Sequence, residues 1–541
     1  MPSPPLAGVV GRWSRATLPP LDGRVVVPDN VRAFVLAGLA ARCDRPILAV
    51  VPGEQEARDL ADDLACFTAD VAHLPAWETL PFEHVSPNTT TMAARARARH
   101  RLATGGPGTI VVAPVRAIVQ RVSPSDPAPL EVAVGATIPF DGLIGRLAAL
   151  GYERTERVEH RGEFAVRGGI VDVYPVGDAD PARFDFWGDD VESIRRFDVG
   201  SQRSEEPVDA IDVVPAREFR IDETIAVRAA ELAGEHPWAQ ATWDLVSQRI
   251  PFAGVESWLP WLVPERTVLD DHEGPLVVFD PVRSLARSRD LVAEERDLAE
   301  ALAPTWGTGS PGADEAPPLY LDLETRVAGR PALLAPPLAA SPDDERVETR
   351  PLGATPGDPT ELVAALATLR ADDIQVVAAL DGEAAADRVA RVLADEGLAL
   401  DRLETVDGRE SGIVAVGLHR GFVLPAVGVA VLGDQELTGR RRAHRPPGRA
   451  RATDTSLGYR DLVPGDHVVH HRHGIGRFEG LVTRTIAGTE RDYLVIAYAV
   501  EDSLYVPTDQ LAGIEAYTGG EQPRLSRMGG SDWEKTKGRE R

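Results

Sequence analysis

Residues 163–175, EFAVRGGIVDVYP, and 182–198, ARFDFWGDDVESIRRFD, decide the reading of this chain. Both are rich in β-branched and aromatic residues, and Gly188-Asp189 has the composition of a tight hairpin turn. They predict an antiparallel sheet module over residues 129–216. In a strand successive side chains alternate between faces. Phe184 and Phe186 therefore share one face of RFDFW and leave Arg183, Asp185 and Trp187 on the other. By the same rule EFAVR sets Phe164 and Val166 against Arg167. An outward set of Arg167, Arg183 and Trp187 has the residue types that dominate protein–protein hot spots. The alternation equally allows a sheet buried on both faces, with Trp187 in the core.

Around this module the texture differs. RPILAVVPG (45–53) is an apolar run that ends in Pro-Gly. The stretch after it places Ala57, Leu60, Ala61, Leu64 and Phe67 on one helical face, which makes a βα unit. TIVVAPVRAI (109–118) repeats the pattern, and PLVVFDP (275–281) resumes it, so residues 1–128 and 217–343 form one α/β domain into which the sheet module is inserted. Clusters of proline, glycine and acidic residues at 303–318 and 331–359 mark loops or a junction. IQVVAAL (374–380), a helix, SGIVAVG (411–417) and VAVLGDQELTG (429–439) give a small α/β domain, residues 344–439. Residues 440–462 are an arginine-rich linker. A strand-rich module follows at 463–530, and 531–541 read as the start of a helix.

The chain has 541 residues, 43% hydrophobic and 26% charged, so it is a globular, multidomain protein. Its net charge of −26 opposes general attraction to a nucleic acid, and any such contact must be local. Two cysteines, Cys43 and Cys66, without CxxC spacing exclude a disulfide framework and point to the cytoplasm. No apolar run is long enough to suggest a membrane.

Several motifs fail on close reading. Lysine occurs only at Lys535 and Lys537, so no phosphate-cradling lysine lies upstream. Gly529–Thr536, GGSDWEKT, keeps the Lys-Thr pair of a P-loop but places Glu534 where phosphates would sit. In LVVFDP, Pro281 follows Asp280 where an ATPase strand would supply a second acid. HGIGRFEG (473–480) has Glu479 where a dinucleotide-binding turn needs glycine, and reads as a glycine-rich turn between strands. His467, His470, His471 and His473 lack the further ligands of a closed zinc site. The expectation is no catalytic, cofactor or metal residue in this chain.

EFAVRGGIVDVYP followed by ARFDFWGDDVESIRRFD resembles the sheet domain shared by the excision-repair protein UvrB and the transcription-repair coupling factors. AWETLPFEHVSPN (76–88), GFVLPAVGVAVLGDQELTG (421–439) and the stretch from GDHVVHHRHGIGRFEG to LYVPTDQL (465–511) resemble the coupling factors in order. The last also resembles CarD-type RNA polymerase-binding regulators. The resemblance implies a degenerate UvrB-like α/β domain with an inserted antiparallel sheet domain, a small α/β domain and a C-terminal Tudor-like, SH3-like β-barrel. It implies UvrA and the RNA polymerase β subunit as partners. ATP, Mg and most DNA contact are expected only in a translocase motor that would follow residue 541.

By the same resemblance, Arg167, Arg183 and Trp187 match the UvrA-docking positions, with Trp187 where some members have phenylalanine. Leu481, Val482, Thr483, Arg484, Thr485 and Ile486 match the strand that meets polymerase, with Arg484 where some members have leucine. Rich in β-branched residues, that stretch is expected to add a partner strand if it lies at an edge. Alternatively it is an internal barrel strand paired on both sides. Two other functions compete: a stand-alone CarD-like regulator and an active UvrB-like helicase, the second opposed by the missing P-loop.

Overall fold

Ile47–Val51 and Ile110–Pro114 are buried along their whole length, as continuous apolar runs must be when helices cover both faces of a parallel sheet. The computed structural model describes residues 4–13, 18–82, 86–124, 128–302, 315–440, 467–470, 474–486, 489–499, 503–507 and 514–516. The chain divides into two units, residues 1–444 and 445–541.

In the first unit, six parallel strands run in the order Gly23–Arg24, Ala332–Ala335, Leu276–Phe279, Ile47–Val51, Ile110–Pro114, Val71–His73. Ala332–Ala335 corrects the loop expected across 331–359. This four-residue strand is short enough to hide among prolines, and it pairs with the buried Leu276–Phe279 strand. The βα unit holds: Glu54–Ala65 is a helix with Ala57, Leu60 and Leu64 buried.

The small domain has its own sheet, ordered Asp401–Leu403, Gly412–Val414, Gln375–Ala379, Val429–Leu432, Phe422–Leu424, with only the last strand antiparallel. It does not have a wholly separate core. The helix Arg32–Ala40 is buried at all nine positions, and its Phe34 stacks on Phe422 of the small domain with ring centroids 5.1 Å apart, inside the roughly 4.5–7 Å range of favourable aromatic pairs. One apolar cluster runs from Val51 and Phe279 through this helix to Val377 and Val414. Both cysteines are buried near it, and the Cys66 thiol donates to the Gly417 carbonyl of the small domain at 3.4 Å.

The inserted module enters on Leu130–Ala133 and leaves on Ala210–Val213, and these two strands pair with each other, so entry and exit lie side by side. Between them six strands are ordered Ser204–Pro207, Asp190–Phe197, Ala182–Trp187, Ile170–Val173, Glu163–Arg167, Glu153–Arg154. All pairs are antiparallel except the last. Gly188 has φ 64°, the left-handed value a two-residue hairpin loop requires of its first residue. The helix Phe140–Ala149 packs Leu143 and Leu147 with Phe164, Phe184 and Phe186 on the sheet's inner face.

A buried ion pair fastens the exit of the insertion to the parent domain. The Glu218 carboxylate accepts from Arg95 and, at 3.2 Å, from Arg99 Nη1, both on the helix Thr89–Thr104, and from Trp77 Nε1 at 3.2 Å. Burial works to raise the Glu218 carboxyl, but the two arginines outweigh it and hold it below the ordinary range.

The described residues of the second unit form a five-stranded antiparallel sheet, ordered Ser503–Pro507, Thr489–Ala497, Gly474–Ile486, His467–His470, Ile514–Ala516. HGIGRFEG is mostly strand here, which corrects the expected turn. Gly476 faces Ile496 and Tyr498 too closely for a Cβ, and Gly480, with φ 143°, follows the irregular register at Phe478.

Candidate docking surfaces

The outward face of the inserted sheet is set by strand alternation. Phe184 is fully buried and Phe186 nearly so, while Trp187 at the strand's end is 75% exposed. The alternative of a core Trp187 is thereby removed. Arg167 closes the strand Glu163–Arg167, two strands away across Ile170–Val173, and is 52% exposed at its side chain. Arg183 lies on the same face but is only 17% exposed, because its guanidinium is occupied. Its Nε and Nη2 donate to Asp172 at 2.7 and 3.0 Å, and its Nη1 donates to the Gln202 carbonyl and Ser204 Oγ, each at 3.3 Å. The guanidinium also sits 4.9 Å from the Phe197 ring centroid. Hydrogen bonding to Asp172 raises the Arg183 pKa further above its ordinary value.

Sequence reading missed Asp172. It lies directly opposite Arg183 in the register and is 1% exposed. The signal was an acid inside the apolar run IVDV, but its meaning depended on arginines in two other strands. Beside this group an open depression of about 870 Å³ is lined by Gly169, Ile170, Asp185, Phe186, Ser193 and Arg195 among others.

The second surface is the long strand Gly474–Ile486. Its first part is paired on both sides, with His467–His470 and with Thr489–Ala497. Residues 481–486 pair with 489–494 alone among the described residues, Leu481 opposite Leu494 and Ile486 opposite Thr489. Leu481, Val482, Thr483, Arg484, Thr485 and Ile486 thus form one arm of a hairpin whose other edge carries no described strand.

The strand ends of the parallel sheet, where α/β proteins bind nucleotides, are filled from within. Glu54, at the start of its helix, accepts from Ala76 N at 3.1 Å and Arg58 Nε at 3.2 Å, and lies 3.3 Å from His73 Nε2. Arg283 joins Glu56 at 2.9 Å to Asp280 at 3.4 Å. Asp280 also accepts from the Arg283 amide, at the head of the helix Pro281–Leu302. No group of three or more metal-ligating side chains suited to a metal occurs among the described residues. Gly529–Thr536, His471, His473, all of the linker 440–462 after Arg440, and the tail 531–541 lie outside them. No described helix is long and apolar enough to cross a membrane.

Two domain families match the chain. The UvrB interaction domain family matches residues 130–219, the inserted sheet module, and the CarD-like/TRCF RID domain family matches residues 462–518. The chain thus combines an excision-repair interaction module with a polymerase-interaction module. It is 34% identical to the transcription-repair-coupling factor of Mycobacterium tuberculosis over 95% of its own length and 46% of the relative's. The corresponding proteins of Myxococcus xanthus and Escherichia coli are 31% and 29% identical, over 94% and 93% of this chain and again 46% of their own lengths. These matches bear out the resemblance to the N-terminal part of the transcription-repair coupling factors; the chain spans less than half the length of those relatives.

Proposed function

We propose that this chain is a scaffold that links stalled bacterial RNA polymerase to UvrA in transcription-coupled excision repair. The observation that supports it most is the presence, on one chain, of a UvrB interaction domain with an exposed aromatic anchor and a CarD-like domain. UvrA docks on the outward face around Arg167, Arg183 and Trp187. A large, stiff aromatic side chain gives contact area at small entropic cost, and Arg167 on the same sheet face supplies directional charge. The polymerase β subunit adds a strand to residues 481–486 of a Tudor-like module. Main-chain hydrogen bonds then carry affinity with little dependence on side-chain identity, which tolerates Arg484 in place of leucine.

In this reading the chain hydrolyses no ATP, and nucleotide, Mg and most DNA contact belong to a motor outside it. The self-satisfied strand ends around Glu54, Glu56, Asp280 and Arg283 support this, since acids occupy the edge where phosphates would bind. The protein works in the cytoplasm, where both partners are found. A three-component capture tests the proposal: immobilised polymerase β subunit should retain UvrA only when this chain is added. Retention of the chain on β without UvrA would instead favour a stand-alone polymerase regulator.

A further inference from the structure

We propose that Asp172 is a positioning residue for the docking face, holding Arg167 and Arg183 in the orientation that UvrA meets; this rests on the UvrA-docking reading above. Asp172 sits on the central strand Ile170–Val173, between the strand that carries Arg167 and the strand that carries Arg183. It makes no surface of its own, being 1% exposed. Both its oxygens are used: Oδ1 accepts from Arg183 Nε at 2.7 Å, and Oδ2 accepts from Arg183 Nη2 and Arg167 Nη2, each at 3.0 Å.

The two arginines divide the work. Arg183 spends its fork on Asp172 and its remaining Nη1 on the 202–204 segment, so it ties the sheet to the edge strand Ser204–Pro207. Arg167 gives Asp172 one N–H and keeps half its side chain in solvent, so it has donors left for a partner's carboxylate or carbonyl. A planar guanidinium anchored by one edge has fewer orientations to lose when the other edge is engaged. The buried carboxylate therefore contributes to binding without touching the partner.

The test measures UvrA affinity of the whole chain in a double-mutant cycle. Asp172→Asn keeps the side-chain volume and is expected to weaken UvrA binding about tenfold, with Arg167→Ala costing about tenfold in the native background but less than about twofold in the Asn background. Arg183→Lys keeps the charge but loses the fork, and should weaken binding with a change in the salt dependence smaller than that of Arg167→Ala. Additive effects of Asp172→Asn and Arg167→Ala, or tighter binding by Asp172→Asn, would overturn the proposal. If the Asn variant does not fold, Arg183→Lys alone decides, with unchanged affinity counting against. Trp187→Ala serves as the separate control: if it too leaves UvrA binding unchanged, the docking reading has failed rather than the role of Asp172.

Discussion

Two charged regions of the first unit have opposite fates. At the strand ends of the parallel sheet, acids and bases are matched inside the fold: Glu54 with Arg58 and Ala76 N, and Glu56 with Arg283 and Asp280. On the outward face of the inserted sheet, Trp187 stands 75% exposed and Arg167 half exposed, beside an open depression. The first region has the location of a ligand site, but its acids Glu54, Glu56 and Asp280 are each paired with a cation of the chain itself. The second has no cleft of the usual kind but keeps an aromatic anchor and free donors. Location in a fold is thus a weaker guide to function than whether the polar groups there are already satisfied.

The largest test of this contrast concerns the joint that holds the two regions together. Glu218→Ala leaves Arg95 buried without its counter-ion and Arg99 with only Asp271 at 3.7 Å, and should destabilise the first unit by about 3–5 kcal/mol. Chemical denaturation measures it, and a loss below about 1 kcal/mol would mean that the joint relaxes or takes up water. Next, Trp187→Ala should weaken UvrA binding about 30-fold, or about 2 kcal/mol, without lowering the melting temperature. A change in polymerase binding by this variant would show that the two docking surfaces are not independent. Thr485→Pro removes an N–H from the hairpin arm and should weaken binding of the β subunit about tenfold, with UvrA binding intact.

The smallest effect is a pH dependence that involves none of the docking residues. Burial pushes the Glu295 carboxyl up to about 7, against the opposing hydrogen bonds it accepts from the amides of Leu319 and Tyr320. A raised carboxyl pKa means that the fold favours the protonated form. Its contribution is complete below the ordinary carboxylate range and is lost as pH rises through about 7. Melting temperature should therefore drop across that window, and Glu295→Gln should flatten the drop while giving up one amide bond. An equal drop in the variant would assign the titration to another group.

How much of this could be read in the sequence depended on whether a feature is local. The βα unit at 45–67 was legible because an uninterrupted apolar run and a 3.6-residue period both lie within one short window. The exposure of Trp187 was half legible: alternation fixed its face but could not say whether that face was covered. The joint at Glu218 was not legible, since its partners Arg95 and Arg99 lie more than a hundred residues away, at separations of 123 and 119. The core shared with the small domain had a signal that went unread. RAFVLAGLA, residues 32–40, is apolar around almost its whole circumference, which marks a helix covered on all sides rather than one lying on a surface.

The burial of the two cysteines has a practical consequence for following the docking events. Cys43 is 6% and Cys66 3% exposed, and burial pushes the Cys43 thiol up, away from its reactive thiolate form. The native chain therefore offers maleimide or disulfide reagents almost nothing to attack. A single cysteine placed at Arg195, exposed on the adjacent strand Asp190–Phe197 and directly opposite Arg183 in the register, would carry a fluorophore or crosslinker at one known address, and every signal from it would come from the face where a partner arrives.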